Sequence, residues 1–422
     1  MLIVYDLLLF VYVLCYLPVL IIKGKWHGGF GQRFGFISKA IKDKVRGRPN
    51  IWLHAVSVGE VNAIAGLIEA LKESHPDYQI VLTVSTKTGH KLAVEKLGYS
   101  AVVVWSPLDF GMVVHAFVRL INPKVYVVAE TELWPNLFTC LNRNGVPIVL
   151  VNGRISDNSY GRYLKIRWFL KKYLGYVTVF CMQSDRDIER IIAVGAPKDR
   201  VKNIGNVKFD DVPMNGSFGV EHFGFKKDTK FFIAGSTHPG EEEIVLGAFQ
   251  KIKDKYPAMR LVIAPRHIER AGEIEKIIES RGLDAFRFSK MISGMRYQDE
   301  VVILDTIGHL RAFYDMATLV FVGKSLTVQG GHNIIEPAYF SKPIIVGPHM
   351  QNFRDVAAAF KEESAIVQVQ NAHEFESAVC VLLDDPGRMV ELGKKARQVI
   401  ERRRGATQRG VELIGRALKG AL

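Results

Sequence analysis

Carboxylates follow two of the apolar segments in the first half of the chain. The segment IWLHAV runs into SVGE, where Ser57 and Gly59 can form a tight turn and Glu60 lies in the first turn of a predicted helix. The segment KVYVVA runs into ETELWPN, which contains Glu130 and Glu132. A glutamate at a helix N-terminus commonly only complements the helix dipole. A carboxylate at a strand-to-helix turn that faces a cleft is also where a general base belongs. We expect Glu60 and one glutamate of the second pair to face such a cleft, and the other to be an ordinary helix residue.

Small polar and basic residues occupy the corresponding positions in the second half. Ser236, Thr237 and His238 lie between a predicted strand and a helix, where backbone N–H groups and hydroxyls suit a phosphate. Helix capping by Ser or Thr would give the same letters. Arg266 and His267 end the next strand, which places a cation where an anionic ligand can bind.

A glycine-rich loop, VGKSLTVQGGHNIIEPA, follows a third strand of the second half. It contains Gly330 and Gly331 and leads through Asn333 to Glu336, which lies early in a short predicted helix and can hold a ribose diol. The letters GKS in this loop do not make a nucleotide-binding P-loop, because that motif needs glycine at the position of Thr318.

Two metal-binding patterns are considered and set aside. Asp185-Arg186-Asp187 resembles the metal clamp of some sugar transferases, but Ser184 before it favours an ordinary capped helix start. The four cysteines are far apart and form no CxxC or Cys/His spacing, which argues against a zinc site or a disulfide framework and favours a reducing compartment. We expect no bound metal.

Short apolar runs alternate with longer amphipathic ones from residue 50 onward, which predicts buried strands of parallel sheets joined by helices. Predicted helices include Gly59–Ser74 and Glu132–Asn144. Predicted strands of a first array are Ile51–Val56, Gln79–Ser85, Ala101–Trp105, Lys124–Ala129, Pro147–Asn152 and Tyr176–Met182. Those of a second array are Lys230–Gly235, Met259–Ala264, Glu300–Leu304, Thr318–Gly323 and Lys342–Val346.

The two arrays predict an α/β protein of two doubly wound, parallel-sheet domains, as the length of 422 residues allows. A stretch rich in Gly, Pro and charge, Asn206–Lys230, is the predicted linker. We assign residues 1–22 to a membrane anchor, 23–212 to an N-terminal domain and 213–422 to a C-terminal domain. Such domains bind ligands at the carboxyl ends of their strands, in this case facing a cleft between the two domains.

The apolar run over residues 2–22 has about the length that spans a bilayer, although Asp6 and Pro18 interrupt it. A cleaved signal peptide would have basic residues before the run. Here they follow it, beginning with Lys23 and Lys25, which favours an uncleaved anchor with the rest of the chain in the cytoplasm. A helix that only dips into the membrane is the alternative.

The formal charge of +13 indicates attraction to polyanions, without choosing among nucleic acid, lipid headgroups and phosphorylated substrates. Basic and aromatic residues interleave over Gly153–Tyr176, which includes Arg154. This stretch is either a solvated helix with a core stripe or a face for anionic lipid.

Seven short motifs occur in an order and spacing that closely resemble the transferases of 3-deoxy-D-manno-octulosonic acid (Kdo). They are SVGE, ETELWPN, KFD (Lys208–Asp210), GSTHPGEEE, PRH, DTIGHL (Asp305–Leu310) and GGHNIIEPA. The resemblance implies a GT-B fold of two Rossmann-like domains at the cytoplasmic face of a bacterial inner membrane. It implies transfer of Kdo from CMP-Kdo to a lipid A precursor, with the acceptor in the N-terminal domain and CMP in the C-terminal domain.

The resemblance also implies roles for individual residues. Glu60 would be the general base, and Glu130 and Lys208 would stabilise the transition state. Ser57, Gly59, Glu132 and Arg154 are the candidates on the acceptor side. Contacts to CMP would come from Pro265, Arg266, Ile307, Gly308, His309, Asn333 and Glu336. The chain departs from the family pattern at Lys324, where glycine is usual, and at His309, where glutamate is usual.

The expected reaction is a direct displacement with inversion. Because CMP-Kdo carries a single phosphate, we expect no metal ion or other cofactor. One alternative is a UDP-sugar transferase of the same fold, against which the SVGE and ETELWPN motifs argue. The other is a non-catalytic protein that binds membranes or nucleic acid, which would not need carboxylates at strand ends; we expect no nucleic acid partner.

Overall fold

The computed structural model describes residues 2–22, 29–210, 225, 229–292 and 300–422. The chain divides into two compact units, Met1–Asp211 with Arg403–Leu422 and Val212–Arg402, called here the N-terminal and C-terminal units. Most of the predicted linker, residues 211–224 and 226–228, lies outside the described residues, as do Lys23 and Lys25 of the basic stretch.

A seven-stranded parallel sheet forms the centre of the N-terminal unit, in the order β3-β2-β1-β4-β5-β6-β7. All six predicted strands form, and the sequence missed only the three residues of β7. The strands are β1 (Asn50–Ala55), β2 (Gln79–Val84), β3 (Val102–Trp105), β4 (Pro123–Ala129), β5 (Ile148–Gly153), β6 (Val179–Met182) and β7 (Val201–Asn203). The central strands are almost entirely buried because helices cover both faces of the sheet.

The helices of the N-terminal unit begin at residues that suit a helix start. Ser57, Thr86, Ser156 and Ser184 each accept a hydrogen bond from a backbone N–H of the first turn. The helices are α1 (Leu2–Ile22), α2 (Phe30–Arg33), α3 (Lys39–Val45), α4 (Val58–Ser74), α5 (Lys87–Leu97), α6 (Gly111–Ile121), α7 (Pro135–Arg143), α8 (Asp157–Lys165), α9 (Arg167–Leu174) and α10 (Asp185–Val194).

Two predictions from the sequence concern these helices, and one is wrong while the other is confirmed. The predicted helix over Glu132–Asn144 starts too early, because α7 begins at Pro135, whose fixed φ suits the first helical position. Neither Glu130 nor Glu132 is therefore a helix residue. The capping interpretation of the Asp185-Arg186-Asp187 triplet is confirmed, since Ser184 caps α10.

The C-terminal unit has a second seven-stranded parallel sheet, in the order β10-β11-β9-β8-β12-β13-β14. The five predicted strands form, whereas β10 and β14 were missed. The strands are β8 (Lys230–Thr237), β9 (Met259–Pro265), β10 (Ala285–Arg287), β11 (Val301–Ile303), β12 (Leu319–Val322), β13 (Ile344–Val346) and β14 (Val367–Gln368). The helices are α11 (Glu241–Ile252), α12 (Ala271–Ser280), α13 (Phe288–Ile292), α14 (Leu310–Met316), α15 (Ile335–Tyr339), α16 (Arg354–Glu362), α17 (Ala372–Asp384) and α18 (Pro386–Arg403).

The last helix, α19 (Ala406–Leu418), belongs to the N-terminal unit although it follows the C-terminal unit in the chain. Val411 and Ile414 are buried in the same core as Ile204 and the residues of α4. Asp210 caps the start of α19 by accepting hydrogen bonds from the backbone N–H groups of Gly405 and Thr407, both at 2.6 Å.

The predicted helix over residues 2–22 forms as α1, and one side of it contacts the N-terminal unit. Asp6 Oδ1 accepts a hydrogen bond from Asn136 Nδ2 at 2.6 Å, while Ile3, Leu7 and Leu8 are exposed. Over the described part of the chain, no helix has both the length and the apolar character needed to cross a membrane. The predicted spanning anchor is therefore not supported.

Candidate active site

Both sheets reverse their strand order at one place. In the N-terminal unit β1 lies between β2 and β4, and in the C-terminal unit β8 lies between β9 and β12. Ligands of doubly wound sheets bind beyond the carboxyl ends of the strands at such a reversal. Glu60 follows β1 and Glu130 follows β4, whereas His238 follows β8 and Lys324 follows β12. The sequence motifs therefore lie at the two reversal points.

Glu60 is held at the first turn of α4 by a reciprocal capping arrangement. Its Oε2 accepts from the Val56 backbone N–H at 2.7 Å and its Oε1 from the Ser57 hydroxyl at 3.0 Å, while Ser57 Oγ accepts from the Glu60 N–H. Each carboxylate oxygen keeps a further lone pair. Burial raises the pKa of the Glu60 carboxyl, the Val56 N–H opposes the rise, and the charge of Glu130 adds to it.

Glu130 has an unusual backbone conformation directly after β4. Its φ of 54° lies in the left-handed region, which costs a residue with a side chain about 1–2 kcal/mol. The Glu130 carboxylate is paired with Arg154 (Nε to Oε2, 3.3 Å), and the Thr131 hydroxyl donates to the Arg154 carbonyl at 2.6 Å. The structure thus brings together two of the predicted site residues, Glu130 and Arg154.

Glu132 is the third carboxylate of this group. Burial, together with the charges of Glu60 and Glu130, raises the pKa of Glu132 to about 7. The residue is half-buried. Three mutually repelling carboxylates at one sheet edge can hold a proton near neutral pH, as a site for proton transfer requires.

A network that the sequence did not indicate fixes the loop after Glu132. Asp109 accepts from the backbone N–H groups of Asn136 (3.0 Å) and Leu137 (2.9 Å), and so caps α7 from a distant loop. Burial raises the pKa of Asp109 to about 7, against the effect of these hydrogen bonds. Asn136 in turn contacts Asp6 of α1. Asp6, interpreted from sequence as an interruption of the apolar run, is a residue of this network.

Lys208, the third predicted catalytic residue, lies in a short 3₁₀ turn, Val207–Phe209. The side chain of Asn206 caps this turn by accepting from the Lys208 backbone N–H at 3.0 Å. Lys208 belongs to the N-terminal unit together with Glu60 and Glu130.

In the C-terminal unit the fully buried carboxylate of Glu241 organises the loops after β8 and β12. It accepts from the backbone N–H groups of His238, Lys324, Ser325 and Leu326, at 2.8–2.9 Å. The backbone N–H groups of this turn are predicted from the sequence to face a phosphate. The N–H of His238 donates to Glu241 instead. Glu241 was missed because its partners in the second loop lie more than eighty residues away.

The other small residues predicted at this turn differ in accessibility. Thr237 is fully buried, and its hydroxyl donates to Glu242 at 2.8 Å. Glu242 is also paired with Arg270 at 2.8 Å, so Thr237 belongs to a buried network. Ser236 is partly exposed and has a left-handed backbone, with φ of 57°.

Two histidines face each other beside this turn. His238 Nε2 lies 3.2 Å from His332 Nε2, and the two rings stack with centroids 5.4 Å apart. Burial, followed by the charge of Lys324, lowers the pKa of His238. Burial, followed by the charge of Arg266, lowers the pKa of His332 to about 4. Both imidazoles are therefore neutral at physiological pH, and their N–H groups can serve as hydrogen-bond donors.

The remaining donor-side candidates lie at strand ends of the C-terminal unit. Pro265 ends β9 and is buried, while Arg266 after it is exposed. Ile307 is 83% exposed, Gly308 has φ of 94°, and His309 Nδ1 lies 2.9 Å from Thr306 Oγ1.

The glycine-rich loop places its two glycines and Asn333 before α15, and Glu336 lies in the first turn of that helix. Gly330 has a φ of 140°, which favours glycine, and a Cβ there would lie 2.8 Å from Lys324 Cε. Gly331 donates its N–H to the Lys324 carbonyl at 2.6 Å. Asn333 Nδ2 donates to Glu336 Oε1 at 3.2 Å. Across the part of the chain that the structure describes, no group of three or more His, Cys, Asp or Glu side chains is arranged to hold a metal ion.

Comparison with known proteins agrees with this arrangement. Residues 28–211 match the family model of the 3-Deoxy-D-manno-octulosonic-acid transferase (kdotransferase), and residues 226–399 match that of the group 1 glycosyl transferases. The chain is 32% identical over 410 residues to the 3-deoxy-D-manno-octulosonic acid transferase of Haemophilus influenzae, covering 95% of this chain and 94% of that protein. The chain belongs to the Kdo transferase family. It is a glycosyltransferase.

Two further comparisons describe the breadth of this Kdo transferase relationship. The chain is 36% identical over 337 residues to a bifunctional glycosyltransferase/methyltransferase of Fusobacterium nucleatum; the match covers 78% of this chain but only 52% of that protein. A solved UDP-GlcNAc 2-epimerase from Neisseria meningitidis aligns with a TM-score of 0.57 at 11% identity, covering 88% of this chain and all of the other. The latter similarity shows the fold alone, which is of the GT-B type.

Proposed function

We propose that this chain transfers Kdo from CMP-Kdo to a hydroxyl group of a lipid A precursor, with inversion at the sugar carbon. The observation that carries the proposal is the position of two carboxylates, Glu60 and Glu130, at the reversal point of one sheet. A cationic residue, Lys324, lies at the reversal point of the other sheet. Family membership supplies the class of sugar. The lipid A acceptor is the one that the resemblance to this family implies, and inversion is what a direct displacement at the sugar carbon would give.

Glu60 is assigned as the general base. Its carboxylate takes the proton of the acceptor hydroxyl while the hydroxyl oxygen forms a bond to the anomeric carbon of Kdo. The bond between that carbon and the phosphate oxygen breaks, and CMP leaves with the electron pair. The capping bonds from Val56 and Ser57 orient the Glu60 carboxylate, and its raised pKa brings it closer to neutral pH, where a general base works best.

The sugar passes through a state that resembles an oxocarbenium ion. Glu130 and Lys208 are assigned to its stabilisation. Arg154 orients the Glu130 carboxylate through their ion pair, and the strained backbone of Glu130 is consistent with a functional position. Ser57, Gly59 and Glu132 complete the acceptor side.

CMP-Kdo is assigned to the C-terminal unit. Its single phosphate carries less charge than the diphosphate of most sugar nucleotides, so cationic side chains such as Arg266 can balance the leaving group without a divalent ion. Pro265, Ile307, Gly308 and His309 are the other candidates at the strand ends. Asn333 and Glu336, which are joined by a hydrogen bond, are assigned to the nucleoside.

We also propose that the enzyme works at the cytoplasmic face of the bacterial inner membrane, where its lipid acceptor would lie. The exposed side chains of α1 include Ile3, Leu7, Leu8 and Phe10, all more than half exposed. Trp168 in α9 is 70% exposed beside basic residues of the same helix, as is typical of surfaces that contact anionic lipid.

Product formation tests the proposal. Detergent-solubilised protein is given CMP-Kdo and a tetraacylated lipid A precursor, in buffer with a metal chelator, and the lipid is analysed by mass spectrometry. We expect the lipid mass to rise by whole Kdo units. Intact CMP-Kdo and unchanged lipid in the presence of folded protein would refute the proposal, and turnover with a UDP-sugar would replace it. Product that appears only when Mg²⁺ is added would refute the metal independence alone.

A further inference from the structure

Lys324 has a backbone conformation that favours glycine. Its φ of 57° lies in the left-handed region, directly after Gly323 at the carboxyl end of β12. The conformation is fixed from both sides, since the Lys324 N–H donates to Glu241 Oε2 at 2.8 Å and its carbonyl accepts from Gly331 at 2.6 Å. A lysine here is less favourable than glycine by about 1–2 kcal/mol, so the side chain is the feature that requires explanation.

The Lys324 side chain passes beside Gly330 of the glycine-rich loop. A Cβ at Gly330 would lie 2.8 Å from Lys324 Cε and 3.1 Å from Lys324 Cδ. The lysine stem therefore passes close to Gly330, whose φ of 140° favours glycine. The Lys324 charge acts on both His238 and His332, which places its ammonium group on the same side as the stacked imidazoles.

The positive charge of this region is not balanced by the protein. Arg270 is paired with Glu242 and Glu273, whereas within the described residues neither Lys324 nor Arg266 has an acidic partner at ion-pair distance. The carboxylate of Glu241 contacts this loop, but it is fully buried and accepts hydrogen bonds from backbone N–H groups. An anionic ligand is the partner that would balance these charges.

We propose that Lys324 contacts an anionic oxygen of the donor substrate, and that its strained backbone is kept for this contact. The inference rests on the proposed function, because CMP-Kdo provides two such groups, the phosphate and the sugar carboxylate. Backbone strain that persists at a ligand site is a recognised sign of a functional position. The lysine thus adds a donor contact that the glycine usual at this position cannot make.

The test combines stability and binding in one set of variants. Lys324→Gly removes the strain and the charge, and Lys324→Ala removes the charge alone. Ser341→Gly is the matched control, because Ser341 also has a left-handed backbone, with a φ of 55°. Ser341 precedes β13 and so lies at the amino ends of the strands, whereas Lys324 lies at their carboxyl ends. Hydrogen–deuterium exchange of β8 and β12 is measured by mass spectrometry without ligand, and binding of CMP and of CMP-Kdo by calorimetry.

We expect exchange in Lys324→Gly to slow by about 5–30-fold, the equivalent of about 1–2 kcal/mol, and no such slowing in Lys324→Ala. Both variants should bind CMP-Kdo about 10–100-fold more weakly, as the loss of a charge-assisted hydrogen bond predicts. Ser341→Gly should keep the affinity of the wild type. An equal loss of affinity for CMP assigns the contact to the phosphate, and a loss confined to CMP-Kdo assigns it to the sugar carboxylate.

Wild-type affinity for CMP-Kdo in both Lys324 variants would overturn the role of the lysine alone. Faster exchange in Lys324→Gly would overturn the interpretation of the backbone as strained. A wild-type protein that binds neither CMP nor CMP-Kdo would refute the proposed function and the donor contact together, so the failures are distinguishable.

Discussion

Replacing Glu132 by glutamine removes a carboxylate whose ionisation the fold opposes. Burial and the charges of Glu60 and Glu130 raise its pKa from 4.5 to about 7. Between these two pH values the folded state keeps a proton that the unfolded state has lost, so the free energy of unfolding falls as the pH rises through this window. By linkage, the carboxyl lowers stability by about 3 kcal/mol at pH 8 and by less than about 1 kcal/mol at pH 5.

We therefore expect Glu132→Gln to raise the free energy of unfolding at pH 8 by about 1–3 kcal/mol, the lower values allowing for partial solvation. At pH 5 the gain should shrink below about 1 kcal/mol. Urea unfolding followed by tryptophan fluorescence measures this directly, because all five tryptophans precede residue 212 and report on the N-terminal unit.

Glu95→Gln is the control for this measurement. The Glu95 side chain is 60% exposed in a helical pair with Lys91, and its replacement should change stability by less than about 0.5 kcal/mol at either pH. No gain for Glu132→Gln at pH 8, or an equal gain at both pH values, would show that the three carboxylates do not interact as inferred.

Three further perturbations follow from the same contacts. Glu60→Gln should reduce kcat about 100- to 10,000-fold with little change in melting temperature, and near-normal turnover would contradict its role as base. Glu241→Gln leaves one amide oxygen to accept from four backbone N–H groups and places an NH2 donor against two of them, so it should destabilise the C-terminal unit by about 2–5 kcal/mol in thermal unfolding; an unchanged melting temperature would contradict this. Asp6→Ala leaves one of the two N–H donors of Asn136 Nδ2 without its acceptor, while the other still donates to the Asp109 carbonyl. It should shift tryptophan-detected unfolding by about 1–2 kcal/mol, a shift that Leu8→Ala on the exposed side should not produce.

The strands were predictable where burial on both faces favours a largely apolar run, as in β1 and β4. The missed strands β7, β10 and β14 are short, lie at or near sheet edges, and contain Lys, Arg or Gln. One side of an edge strand faces solvent, so its sequence no longer forms the apolar run that marks a buried strand. The start of α7 was misplaced although Pro135 marks it, because the two glutamates before it were interpreted as a first helical turn.

The positions of Glu60, Glu130 and Arg266 directly after strands were predictable, because each follows a buried apolar run. The site was not predictable where a carboxylate serves backbone groups distant in sequence. Asp109 caps a helix 27 residues away, and Glu241 bonds a loop more than 80 residues away. The left-handed backbone angle of Lys324 likewise could not be predicted from the identity of the residue.

The return of α19 to the N-terminal unit has a consequence for biosynthesis. During translation, β1 to β7 leave the ribosome first, yet the apolar surface that α19 covers stays open until the whole C-terminal unit has been made. Val411, Leu413 and Ile414 close the core beside α4 only then. The C-terminal unit is an insertion within its neighbour, and it can complete its own core before the N-terminal unit does. The two units can thus complete their cores in the reverse of the order in which their synthesis begins. Until α19 has been made, the unfinished N-terminal unit is the part of the nascent chain most exposed to chaperones and proteases.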